Sequence, residues 1–220
     1  YFQFGRIYQA WGKYADAIIS YQESKALYQK LDRAQEVANQ LSWIADCYCD
    51  LKEYKTAINH YQESAQLQQA LDHTESTAKR LRHLANTQRL QAQASSTNEA
   101  TLLLQQASDH LQQAIQLNTA GDYLENLAYD AIALALLTAE RLRWLSQTDP
   151  TIPTLMKQFE QSATDGFTRF TTLGKTVASA KEALDIARAY LEIPPLQNLE
   201  RAETAANAKP TPTNYSVKFS

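Results

Sequence analysis

The chain has 220 residues, with 21 Lys and Arg against 24 Asp and Glu, for a net charge of −3. That near balance excludes a bulk electrostatic grip on nucleic acid or on an anionic membrane surface, and no apolar run approaches the ~18 residues that crossing a bilayer requires. Only five glycines stand among abundant Ala, Leu, Gln and Glu, a composition that favours helix throughout.

The first elements announce a repeat. Tyr21-Gln22-Glu23-Ser24 returns as Tyr61-Gln62-Glu63-Ser64, and Tyr8, Tyr14, Ala17, Ile18 and Leu27 recur as Tyr48, Tyr54, Ala57, Ile58 and Leu67, all at an offset of forty. Gly5 becomes Ala45, another small residue. Each unit reads as two helices, with apolar residues at three- and four-residue steps over Leu41–Leu51 and Tyr54–Leu71. The helices break at Gly12-Lys13 and at Lys52-Glu53. Asp32…Gln35, Asp72…Glu75 and Asp122…Glu125 each place an acceptor before a new helix, so each Asp is expected to be an N-cap. Gly121 marks a helix stop just before the third of them.

The Asp positions and a small–large–small trio shift together. The trio runs Ala17/Tyr21/Ser24, Ala57/Tyr61/Ser64 and then Ala107/Leu111/Ala114, which places about ten extra residues in the third unit. The polar run Ser95–Asn98 is expected to be their loop. A fourth unit follows: a helix from Tyr123 to about Gln147, a break at Asp149-Pro150, and a helix from Pro153 to about Leu173 with the trio Ala163/Phe167/Phe170. Thr176–Leu191 reads as one more amphipathic helix capping the stack. Pro194-Pro195 stops it. Leu196–Ala206 is expected to form a short helix, and Lys209–Ser220 a linker or tail in which Tyr215, Val217 and Phe219 alternate. The units run over about 1–31, 32–71, 72–121 and 122–174, the cap over 175–192, and the tail over 193–220. The opening at Tyr1 reads as mid-helix, so a fragment of a longer protein is expected.

Gly5, Tyr8, Tyr14, Ala17, Tyr21 and Ser24, with their copies, resemble the tetratricopeptide repeat family, and the forty-residue period is similar to its longer bacterial multi-repeat variety. The resemblance implies an all-α, right-handed α-solenoid of antiparallel helix pairs, about four units plus a C-terminal capping helix. It also implies a concave groove lined by the first helix of each unit. Carried onto this sequence, the groove positions are Phe2, Arg6 and Gln9, then Asn39, Ser42, Trp43, Asp46, Cys49 and Asp50, then Lys79, Arg82, His83, Asn86 and Arg89. Helix spacing independently sets Lys79, Arg82, Asn86 and Arg89 on one face, a stripe suited to a carboxylate or an acidic peptide. The chaperone-tail carboxylate clamp of the family maps onto Phe2, Arg6, Trp43, Lys79 and His83, of which only Lys79 matches. Trp43 is either an aromatic anchor for a bound segment or a core residue.

Asp46 and Asp50 form an i,i+4 carboxylate pair open to a cation or to acid–base work, but such a pair is more often a solvated or salt-bridged face, and no enzyme activity is expected. His60, His73, His83 and His110 lie in no metal-ligand spacing, no Gly-rich loop precedes a helix, and no Ser or Cys sits in a nucleophile motif. Cys47 and Cys49 are two apart and point away from each other on a helix, which suits free thiols in a reducing, cytoplasmic setting. No metal or cofactor is expected. The expected function is a non-catalytic protein–protein interaction module that holds a partner peptide or helix in the groove. A second reading makes the protein the sensor arm of a larger bacterial nucleotide-switch or protease protein. A third, RNA binding by helical repeats, needs basic residues in every unit, whereas the second unit carries Asp46 and Asp50.

Overall fold

The computed structural model describes residues 1–197, apart from the side chains of 176–178, 180 and 181. Among the described residues are nine α-helices and no strand. They are α1 (Phe2–Ala10), α2 (Tyr14–Lys30), α3 (Ala34–Asp50), α4 (Tyr54–Ala70), α5 (Thr74–Ala92), α6 (Thr97–Ala120), α7 (Leu124–Arg143), α8 (Ile152–Thr172) and α9 (Thr176–Glu192). A 3₁₀ turn at Pro194–Leu196 closes the described residues. Each helix packs on the next, and α5, α7 and α9 also touch one another in sequence. The tail Lys209–Ser220 and all of the helix expected at Leu196–Ala206 except Leu196 and Gln197 lie outside the described residues.

The connections share one backbone solution. At the ends of α1 to α4, of α6 and of α8, a residue in the left-handed region follows the helix: Gly12, Asp32, Lys52, Asp72, Asp122 and Gly174. In each turn two main-chain N–H groups reach back to carbonyls of the helix, as in Lys13 to Tyr8 (2.9 Å) with Gly12 to Gln9 (3.0 Å), and Glu53 to Tyr48 (2.8 Å) with Lys52 to Cys49 (2.9 Å). This is the Schellman arrangement, which satisfies carbonyls that a helix end leaves open.

The Asp residues expected to be N-caps therefore do another job. Arg33, His73 and Tyr123 occupy the N-cap positions, and in none of the three helices does a side chain make the capping hydrogen bond. Asp32, Asp72 and Asp122 instead end the preceding helix, because Asp tolerates the left-handed conformation better than most residues. Gly121 has an ordinary φ of −93°. Its place is fixed by the Tyr123 ring, which a Cβ would meet at 2.2 Å.

Lys52, with a longer side chain at φ 62°, carries the conformational cost without the Asp advantage. Lys52→Gly is expected to stabilise the fold by about 1 kcal/mol. Urea titration checks this, and an unchanged or lower midpoint would show that the Lys52 side chain contributes more than the strain it costs.

The ten extra residues of the third unit are not a long loop. Relative to the second unit, α5 runs two residues further, the connection is one residue longer, and α6 begins seven residues earlier. Thr97 and Asn98, expected in the loop, are already helical. Ala92, Ala100, Leu103 and Leu104 explain why: they bury against Leu137 and Trp144 of the α7 end, so extending the hairpin removes apolar surface from water.

Trio positions form the core where the sequence places them. Ala17, Tyr21, Ser24, Ala57, Tyr61, Ser64, Ala107, Leu111 and Ala114 are all buried. Tyr21 covers Gly5 so closely that a Cβ there would meet its ring at 2.5 Å. In α8 the trio is set differently. Counting back from its closing turn, Phe159, Ala163 and Gly166 hold the places of Ala17, Tyr21 and Ser24, so small and large are exchanged. Phe159 and Phe170 are fully buried, Gly166 receives Ile132 at 2.6 Å from where its Cβ would be, and Phe167 sits only at the cluster's margin.

Candidate functional site

The odd-numbered helices are linked side chain to side chain along the molecule. Phe2 of α1 meets Trp43 of α3 with ring centroids 6.2 Å apart. From α3 to α5, Arg80 Nη2 donates to Asn39 Oδ1 (3.3 Å), and Cys49 Sγ lies 3.4 Å from Thr87 Oγ1. From α5 to α7, Arg82 Nη1 donates to Asp130 Oδ1 (3.0 Å) and Gln93 Nε2 to Glu140 Oε2 (2.7 Å). Arg143 of α7 approaches Glu192 of α9 at 3.7 Å.

This ribbon sorts the expected groove residues into three kinds. Arg6 and Lys79 are exposed. Gln9, Asn39, Trp43, Asp46, His83, Asn86 and Arg89 are half-buried. Arg82 and Ser42 are buried. Arg82 is therefore not presented to a ligand. Its guanidinium is spent on Asp130, on the Asn126 carbonyl (3.3 Å) and on the face of Tyr129, 5.1 Å from the ring centroid. Asn118 Nδ2 donates to the other Asp130 oxygen at 2.6 Å, so one buried network joins α5, α6 and α7. Trp43 stacks on Tyr21 at 22° between ring planes and is in large part a packing residue.

Asp46 and His83 do come together. Asp46 accepts a hydrogen bond from the buried Tyr61 hydroxyl, and His83 Nδ1 stands 3.8 Å from the same carboxylate. Burial raises the Asp46 carboxyl above its usual range, against the Tyr61 hydrogen bond and Arg80, which lower it. Raised means that folded Asp46 keeps its proton to a higher pH than unfolded Asp46. Between the ordinary value of 3.8 and the folded value, the native state binds more protons, so stability falls as pH rises through that window. Asp46→Asn, which keeps an acceptor for Tyr61, is expected to lose less stability than the wild type over that rise. Paired urea titrations from pH 3.8 upward measure the difference, and the opposite sign would refute the raised value.

A cleft of about 370 Å³ opens between α5, α7 and α9 beside Arg89. Glu140, buried in its wall, is answered by Gln93, by Trp144 Nε1 (3.3 Å) and by Arg143 Nε (3.2 Å). Arg188 lies 3.7 Å from Asp185. Arg89 makes no hydrogen bond or ion pair among the described residues, and its Nε is buried without a partner. Burial lowers its pKa, while Glu140 and Asp185 pull the other way from a distance. Sequence reasoning named Arg89 but missed Glu140, Arg143 and Asp130. The available signal was Asp130 and Glu140 bracketing the apolar run Ala131–Leu137, a costly placement that demands partners.

Cys47 is buried and Cys49 half-buried, both as free thiols. Burial pushes the Cys47 thiol up to about 12, the reverse of what a nucleophile needs. No helix among the described residues is long and apolar enough to cross a membrane. No protein-family model matches the sequence. A comparison with curated proteins also finds no match.

Proposed function

We propose that the protein is a non-catalytic interaction module, a helical-repeat scaffold of tetratricopeptide type whose odd-numbered helices present a partner-binding face. The observation that carries this reading is the side-chain ribbon from α1 to α9, with Lys79, His83, Asn86 and Arg89 spaced along α5 and Arg89 lining the cleft. Rigid helices that display polar groups around a recess suit a peptide, which gains affinity from a pre-organised surface.

Selection of a displayed random peptide library against the full-length protein tests the proposal. Enriched peptides are expected to lose about tenfold or more in affinity with Lys79→Glu combined with Asn86→Ala, while the circular dichroism of the variant stays unchanged. These positions are preferable to Arg82, whose replacement breaks a buried pair. Failure to enrich any sequence, or peptides indifferent to both substitutions, would overturn the reading.

A further inference from the structure

We propose that the cleft between α5, α7 and α9 is a carboxylate site, in which Arg89 receives an anionic group that stands next to an aliphatic one. The inference rests on the peptide-binding reading and names the chemistry of one of its subsites.

Three observations converge. First, Arg89 is the cleft-lining cation left without a hydrogen bond or ion pair among the described residues, and its Nε is buried with no acceptor. A guanidinium carries five donors in a planar fork matched to a carboxylate, and leaving such a group desolvated and unpaired is costly. Second, the cleft's own carboxylates already have partners: Glu140 is held by Gln93, Trp144 and Arg143, Asp185 lies 3.7 Å from Arg188 and Glu192 3.7 Å from Arg143. None of these three carboxylates pairs with Arg89 by direct contact. Third, Leu90, Leu136, Ala189 and Ile193 line the same recess, so an anion with no apolar neighbour would leave that surface wet. At about 370 Å³ the space takes a carboxylate with one aliphatic side chain, not a folded domain. The same chemistry occurs at the C-terminus of a polypeptide ending in an aliphatic residue and at an acidic residue beside one.

The full-length protein is titrated with hexanoate and, at equal ionic strength, with hexanamide, following the arginine Nε–H signals by NMR. Hexanoate is expected to shift the Arg89 signal and hexanamide to leave it in place. Arg89→Gln should weaken hexanoate binding about tenfold or more. Arg89→Met should abolish binding and at the same time raise the Tm by about 2–4 °C, because a buried donor without an acceptor is removed.

A purely structural Arg89 would lower the Tm on replacement, and that result overturns the proposal. So does equal binding of the amide, or no response to hexanoate. Two short peptides, one with a free C-terminal leucine carboxylate and one amidated with an internal Asp-Leu, tell which source of carboxylate fits better. Library peptides that bind through Lys79 and Asn86 but ignore Arg89 would uphold the interaction module while rejecting this site.

Discussion

Asp130→Ala is expected to destabilise the protein by about 3–5 kcal/mol, since it leaves Arg82 charged, buried and without its counter-ion. Arg82 and Asp130 are 6% and 1% exposed, so water cannot easily replace the lost carboxylate. Asn118 would lose the acceptor of its 2.6 Å hydrogen bond as well. The network is nonetheless not a simple source of stability. Burial raises the Asp130 carboxyl above its usual range more than Arg82 and Asn118 lower it, so the charged form is held against its preference. Removing both charges is therefore a different experiment from removing one. Arg82→Met with Asp130→Leu is expected to lie near the wild type or above it, and urea unfolding at pH 7 distinguishes the two cases. An Asp130→Ala cost under about 1 kcal/mol, the scale of an exposed pair, would mean that solvent reaches Arg82.

Phe159→Ala is expected to cost about 3–5 kcal/mol, the range for emptying a fully buried aromatic site. The ring stands edge-on to Tyr190 of α9, with centroids 5.1 Å apart and planes at 81°, so its loss also loosens α9. Because helices contact mainly their neighbours in sequence, the damage should stay local. Amide exchange is expected to accelerate in α8 and α9 while α2, α3 and α4 keep their protection. Uniform acceleration from α1 to α9 would instead show that these helices unfold as one unit.

The sequence was legible where a position is defined by size. Ala17, Tyr21 and Ser24 recur because two helices can cross closely only over a small residue with a large one beside it, and those positions are buried as expected. It was less legible where one residue type serves two purposes. Asp favours both the N-cap and the left-handed end of a helix, and spacing from the next Glu or Gln does not separate them. Polar letters misled at Thr97 and Asn98, where the apolar reward lies further along at Ala100, Leu103 and Leu104. Phe159 was hidden because the exchange of small and large in α8 is compensated by Ile132 over Gly166, a contact from another helix.

For the candidate site, the helix period sets Lys79, Arg82, Asn86 and Arg89 toward one side of α5, but a period says nothing about what stands opposite. Arg82 faces Asp130, 48 residues away, and Arg89 faces a recess. Two arginines separated by two turns thus have opposite fates, and only the packing of α7 decides between them.

The Schellman turns close on main-chain groups alone, so each junction asks of its side chains little beyond a residue that tolerates the left-handed region. Each junction is in effect a standard fitting. A hairpin can be lengthened, as α5 and α6 are, or spliced in whole, without redesigning the joints on either side. What cannot be altered so freely is the face that one hairpin offers the next.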